Sequence, residues 1–330
     1  MKLGWAIEIA GTGLCVPQRA VSNAEFARRL DTSDEWIVQR TGIRERRVAG
    51  PEESTLDFAL PASRQALAEA GLAPEDLDLI ICATITPDHP LPSTACLLQA
   101  ALGCRRIPAF DMAAACSGYV WGLVTAGQHI VTGMARNVLL VGAETLTRIT
   151  DMEDRSTAVL FGDGAGAAVI RPAGDLRRGL LAARLGADGG RSMLIHVPAG
   201  GARHPASPDT LAQRSHYMKM QGREVYKFAV TQMDEIIRAT AAEAGVPVAE
   251  IALIVPHQSN LRIIESACQR AGVPLERVVV NIDRYGNTSA ASVGLALHEA
   301  RTQGRIRPGD LVMLVAFGAG LTWGSALWRM

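Results

Sequence analysis

The sequence predicts an α/β fold of two pseudo-symmetric βαβ-type halves, with two sheets lying between helical layers. Three observations predict it. Ala68-Glu69-Ala70-Gly71 recurs as Ala242-Glu243-Ala244-Gly245, an offset of 174 residues. Leu77-Asp78-Leu79-Ile80-Ile81 aligns with Ile251-Ala252-Leu253-Ile254-Val255 at the same offset. Short runs of Val, Ile and Leu, typical of strands buried on both faces, alternate with helical patterns.

The elements follow in order. Residues 1–20 read as a first strand, because Glu8 interrupts the apolar core a leader peptide would need. Ser22-x-x-Glu25 and Ser54-x-x-Asp57 have the form of capping boxes at helix starts. A helix over 56–70 leads to a strand at 77–83, a helix at 93–102 and a strand at 108–112. A small-residue turn at 113–118, a helix at 119–133 and a strand at 137–143 complete the unit. The second half repeats that order at 225–244, 251–256, 260–271, 277–282, 284–290, 291–303 and 310–316. The aperiodic stretch 186–223, with Gly189-Gly190 and Gly200-Gly201, reads as a surface loop or flap. No linker separates the halves, which divide as 1–175 and 176–330.

Composition removes several classes of function. The chain has 330 residues, 33 basic against 33 acidic, so it lacks the basic excess of a nucleic-acid binder. No apolar run approaches the roughly 18 residues of a membrane span. A chain this long buries about three quarters of its unfolded surface and needs no staples. Its cysteines, at 15, 82, 96, 104, 116 and 268, form no Cys-x-x-Cys pair, and no histidine pair has zinc spacing. Free thiols of this kind suit a reducing, cytoplasmic compartment. Cys82, inside the run Leu79-Ile80-Ile81-Cys82, reads as a small buried hydrophobe.

Three residues can carry chemistry. Cys116 follows Phe110-Asp111-Met112-Ala113-Ala114-Ala115, a strand running into a tight elbow. A helix N-terminus there favours a thiolate, although a buried, inert Cys explains the local sequence equally well. His257 ends the strand at 251–256, where open parallel sheets place ligands; capping the next helix is its plain alternative. Asn287 by itself is an ordinary turn residue. The repeat changes the balance, because Cys116 and Asn287 both occupy third-helix elbows, 171 residues apart. Gly318-Ala319-Gly320 ends a strand with backbone N–H groups suited to an oxyanion, and Gly162-Asp163-Gly164-Ala165-Gly166 reads as a similar loop without the Lys of a P-loop. The other histidines and the methionines read as packing or surface. The 141 residues from Cys116 to His257 also fit a papain-like hydrolase, but the Cys-Gly-Ser/Ala-Cys-Trp signature is missing. A binding protein that kept the fold and lost activity is a third alternative, which the presence of all three residues disfavours.

At these residues the chain resembles the β-ketoacyl-acyl-carrier-protein synthase III enzymes of the thiolase superfamily. The resemblance rests on Thr32-Ser33-Asp34-Glu35-Trp36-Ile37, Arg40-Thr41-Gly42-Ile43-Arg44-Glu45-Arg46, Ala113-Ala114-Ala115-Cys116, Phe161-Gly162-Asp163-Gly164-Ala165-Gly166-Ala167, Val255-Pro256-His257-Gln258, Gly286-Asn287-Thr288-Ser289-Ala290-Ala291-Ser292 and Thr322-Trp323-Gly324. It implies a thiolase-like fold in layered αβαβα order and a Cys116–His257–Asn287 site, with an oxyanion hole from the N–H groups of Cys116 and Ala319. It implies coenzyme A binding through Trp36, Arg40 and Thr41, with Thr32, Arg155, Gly222 and Asn260 nearby. Leu91 and Phe317 would line the acyl pocket, Leu91 acting on the partner of a homodimer. Lys227, Arg262 and Arg270 would dock acyl carrier protein. The implied reaction joins acyl-CoA to malonyl-acyl carrier protein and initiates fatty acid synthesis, without metal or redox cofactor. Relatives of the same fold run specialised routes to polyketides, quinolones or biotin precursors, and the primer pocket separates them. Two positions depart from the family pattern. Ala319 replaces a glycine, which is tolerable at negative φ. Leu91 replaces a phenylalanine, which bears on primer preference.

Overall fold

A computed structural model describes residues 2–330. Two five-stranded sheets form its frame. One runs from edge to edge as Ile7–Cys15, Asp163–Pro172, Val138–Thr145, Leu79–Ala83 and Ala109–Met112. The other runs as Lys2–Trp5, Gly179–Ala187, Thr322–Arg329, Leu311–Gly318 and Leu253–Pro256. Strands joined through helices pair in parallel, and the remaining strands pair antiparallel.

Period-two alternation along each strand sorts the layers. Leu79, Ile81, Val138 and Leu140 of the first sheet meet Leu253, Val255, Val312 and Leu314 of the second through a middle helical layer. That layer is the helix pair Gly118–Val131 and Ala291–Thr302, which contributes Leu123, Val124, Val293 and Leu297. The alternate residues Ile80, Cys82, Leu139 and Val141 pack outward against the helix Thr55–Ala70. Ile254, Met313 and Val315 pack outward against the helices Gly222–Ala244 and Leu261–Ala271. The order is therefore helix, sheet, helix, sheet, helix, and Cys82 is a buried hydrophobe as expected. Both capping boxes form; the Ser54 N–H donates to Asp57 Oδ2 at 2.8 Å.

Four expectations need correction. Residues 1–20 hold two main strands in different sheets, Lys2–Trp5 and Ile7–Cys15, so the chain crosses from one sheet to the other at Ala6. Residues 277–282 form no strand beyond a single bridge from Val278 to Ile254. The reason is Gln258, whose buried side chain takes the ladder's place. Its Nε2 donates to Val279 O at 2.9 Å and its Oε1 accepts the Asn281 N–H at 3.0 Å. The Gly-rich segment 162–166 leads into the ten-residue strand Asp163–Pro172 and is not a binding loop. Its glycines admit the middle helix, because a Cβ on Gly166 would lie 2.5 Å from the Gly294 carbonyl carbon. The stretch 186–223 carries short structured pieces, and Ile195, Met218 and Met220 face an internal cavity as one of its walls. Position 175 falls in the turn between Asp163–Pro172 and Gly179–Ala187. No helix among the described residues is long and apolar enough to cross a membrane.

Candidate active site

Two strained elbows build the site. Ala115 has φ of 46° and Ser289 has φ of 47°. They stand at the 174-residue offset of the repeat, so Ser289 is the counterpart of Ala115 and Ala290 that of Cys116. Asn287 lies three positions earlier, so the 171-residue correspondence drawn from sequence was out of register. A left-handed non-glycine residue costs about 1–2 kcal/mol and persists where its surroundings fix it. In the first elbow the Ser117 hydroxyl reaches Ala114 O at 2.8 Å and Thr322 Oγ1 at 2.9 Å. Gly318 packs beneath so tightly that a Cβ there would lie 2.6 Å from the Cys116 amide nitrogen. In the second elbow the Ser289 N–H donates to Asn287 Oδ1 at 2.9 Å, and its hydroxyl donates to Glu144 Oε1 at 3.0 Å.

Cys116, His257 and Asn287 open into one cavity of about 500 Å³. The His257 N–H is held by Val315 O at 2.7 Å, and Phe317 sits edge-on with ring centroids 5.5 Å apart. His257 Nδ1 lies 2.6 Å from Ser292 Oγ, which also receives the Gln258 N–H at 3.4 Å. The Ser292 hydroxyl can donate to Nδ1, which is the tautomer that leaves Nε2 with its hydrogen as a donor toward the cavity. Burial pulls His257 down to about 3, so the ring is neutral. The Asn287 amide oxygen is taken by Ser289, which leaves its NH2 end to donate. The thiol contradicts the expected thiolate. Burial pushes Cys116 up to about 12 against the help of Ser289, and the charge on Glu144 adds to the rise. A short 3-10 turn, Ala115–Ser117, precedes the helix proper, and dry surroundings outweigh whatever the helix end supplies.

Of the residues expected to hold coenzyme A, Trp36, Arg40, Thr41, Gly222 and Asn260 line the cavity, and Thr32 and Arg155 do not. Arg155 instead backs the Trp36 ring at 5.1 Å, with Arg40 at 6.0 Å. Thr41 and Asn260 have committed polar atoms. Thr41 Oγ1 donates to Ile37 O at 2.6 Å, and Asn260 caps Arg262 N–H at 2.9 Å while donating to Arg40 O at 3.0 Å. They shape the entrance. Ala319 lies on the wall outside the left-handed region, and Gly320 takes φ of 134° in its stead. Phe317 lines the cavity, whereas Leu91 is 87% exposed and does not line this chain's own cavity. Arg262 stands at the mouth with Arg223. Lys227 lies in a neighbouring groove, paired with Glu224 at 2.8 Å. Arg270 is eight residues beyond Arg262 on the same helix, about 12 Å away. Of the basic residues expected to dock a carrier, Arg262 therefore stands at the cavity together with Arg223, and Lys227 and Arg270 lie farther out. Sequence reading missed the apolar walls, among them Ile85, Leu160 and Met218, because scattered hydrophobes look like core. It also missed Glu144, whose signal was a carboxyl in the fully buried strand Val138–Thr145.

Residues 110–189 match 3-oxoacyl-[acyl-carrier-protein (ACP)] synthase III, and residues 241–330 match the C-terminal part of the same family. The β-ketoacyl-[acyl-carrier-protein] synthase III of Symbiobacterium thermophilum is 54% identical over 323 residues, 98% of each chain. The crystal structure of 3-oxoacyl-[acyl-carrier-protein] synthase III from Aquifex aeolicus VF5 superposes with a TM-score of 0.91 at 46% identity, covering 98% of this chain and 100% of that one. Its counterpart from Pseudomonas aeruginosa PAO1 gives 0.90 at 42% identity, covering 98% of both. At this identity, over this length and in this thiolase-like fold, the chain belongs to the β-ketoacyl-acyl-carrier-protein synthase III family of condensing acyltransferases.

Proposed function

We propose that the protein takes an acyl group from acyl-CoA onto Cys116 and condenses it with malonyl-acyl carrier protein, starting fatty acid synthesis. The observation that carries this reading is the meeting of a thiol, a neutral imidazole and an amide, the last two buried, in one cavity. The thiol attacks the thioester carbonyl, coenzyme A leaves and an acyl-Cys remains. The N–H groups of Cys116 and Ala319 receive the oxyanion formed on the way. Malonyl then loses CO2, and its enolate oxygen takes hydrogen bonds from His257 Nε2–H and the Asn287 NH2. Burial of His257 and Asn287 strengthens those bonds. The enolate carbon attacks the acyl-Cys and releases 3-oxoacyl-acyl carrier protein. The Trp36 ring, with the Arg155 guanidinium at 5.1 Å and that of Arg40 at 6.0 Å, suits an adenine ring, and Arg40, Arg223 and Arg262 give the mouth the charge for phosphates and an acidic carrier. The exposed Leu91 suits a homodimer in which it closes the acyl pocket of the second copy. Six free thiols suit a cytoplasmic enzyme.

The test is the intact mass after incubation with acyl-CoA. Wild type should gain one acyl group, mapped to the Cys116 peptide, and Cys116→Ser should gain none while keeping its fold. Stable acylation at another cysteine would overturn the assignment.

A further inference from the structure

The stretch 186–223 carries Ile195, Met218 and Met220 to the cavity wall. Its polar ties to the rest of the fold are concentrated in one place. Among the described residues, the hydrogen bonds and ion pairs of residues 195–220 that reach outside 186–223 all fall on the segment 149–153. The Met218 N–H donates to Ile149 O at 2.7 Å. Arg214 forks onto Asp151, with Nε donating to Oδ2 at 3.1 Å and Nη2 to Oδ1 at 2.5 Å. Its Nη1 donates to Glu153 Oε1 at 3.1 Å, and Lys219 Nζ lies 3.6 Å from Asp151 Oδ2. Asp151 is buried, and its own turn steadies it, because Oδ1 also accepts the Glu153 N–H at 3.1 Å. The hydrogen bonds from Arg214 hold the Asp151 carboxyl down to about 2, so the pair is charged at neutral pH. Arg214 has φ of 56°, which a non-glycine residue keeps where its surroundings fix it. Arg214 and Lys219 flank Met218 in the chain, so Asp151 grips the segment on both sides of the residue that enters the cavity. Met218 itself is buried against Leu146 and Phe161 of the same cavity. A methionine side chain adapts to the space it is given, so the place of this wall is set by its backbone.

We propose that Asp151 determines specificity for the acyl chain: by clamping Arg214 and Lys219 it fixes the Met218 wall, and the wall limits the length of chain the cavity admits. Asp151 is a positioning residue that acts through Met218 and lies outside the lining of the cavity. With the clamp closed, a chain that reaches the wall must displace packed side chains, which is costly. With the clamp open, the wall is held by apolar contacts and the Met218 N–H alone, and it yields to a longer chain.

The clamp rests on the reading of this cavity as the acyl-CoA site, and its test needs no turnover. In a Cys116→Ala background, which blocks transfer, calorimetry gives the dissociation constants of acetyl-CoA and decanoyl-CoA. Asp151→Asn should shift their ratio toward decanoyl-CoA by about tenfold or more. Arg214→Gln should shift it the same way, and it is the safer variant, because Arg214 is half-buried and Asp151 keeps Lys219. Arg214→Lys, which keeps the charge and loses the fork, should fall between Arg214→Gln and wild type. A general loss of stability would weaken both esters together and leave the ratio alone. Trypsin under native conditions reads the clamp separately at Arg203, in the exposed turn 201–206. Cleavage there should be about fivefold faster or more once the clamp is open. A binding ratio within about twofold of wild type in both Asp151→Asn and Arg214→Gln would overturn the inference, even with faster cleavage, because Asp151 would then be a structural tie only. If the ratio shifts as expected while the chain with Cys116 intact takes no acyl group from either ester, the clamp stands and the acyl-transfer reading fails.

Discussion

His257 donates a hydrogen bond only while neutral, and burial keeps it neutral down to about pH 3. The unfolded imidazole takes a proton near its ordinary value, so stability falls as pH drops from about 6.5 toward the folded value. In His257→Gln that loss is absent. Denaturant titration should therefore find wild type losing about 1–2 kcal/mol relative to His257→Gln between pH 7 and 5. Equal pH slopes would mean the imidazole is solvated. Removing either donor, in His257→Ala or Asn287→Ala, should slow malonyl decarboxylation by about 10²–10³ and acylation of Cys116 much less. Burst kinetics separate the two, and loss of the burst in His257→Ala would make His257 the base for the thiol. That Cys116, His257 and Asn287 meet in one cavity was legible from a turn, a strand end and a turn, although the repeat register that paired Cys116 with Asn287 was off by three residues. Their protonation states were not legible, because burial by distant segments sets them.

Among the elements, the middle helices decide how much room a strand residue has. Gly166→Ala would drive a Cβ to within 2.5 Å of the Gly294 backbone, where no flexible side chain can yield. It should cost about 1–3 kcal/mol of stability, seen as a lower Tm. Gly174→Ala meets nothing within 4 Å and should leave Tm unchanged. Equal effects at the two sites would refute the close packing of Ala291–Thr302 on Asp163–Pro172. The same packing explains why that strand was read as a loop. Its start, Asp163-Gly164-Ala165-Gly166-Ala167-Ala168, is poor in strand formers because larger side chains would hold the helix away. The helices were legible to within a few residues from caps and periodicity. The bridge at Val278 was misread as a strand because a side chain some twenty residues earlier, Gln258, ends the pairing.

At the scale of the whole molecule, a chain with no net charge must attract an acidic carrier through a local patch. Arg262 at the mouth is the test of it. Arg262→Glu should raise KM for malonyl-acyl carrier protein by about three- to tenfold and spare a small acyl-CoA, with the gap shrinking as salt rises. Equal losses for both substrates, insensitive to salt, would make Arg262 part of the coenzyme A channel. The pseudo-twofold layering was legible from one repeated tetrapeptide and the order of elements around it. The proposed homodimer leaves no such trace in sequence beyond Leu91; under that proposal Leu91→Asp should shift sedimentation toward monomer, and an unchanged assembly would count against Leu91 lying in an interface. Condensation itself is tested most directly by isolating the acyl-Cys116 enzyme and chasing it with malonyl-acyl carrier protein. Mass spectrometry should show the acyl group leave Cys116 as 3-oxoacyl-acyl carrier protein forms, with one CO2 released per acyl group transferred. Release of the acyl group as a free acid, with the malonyl carrier untouched, would contradict the account.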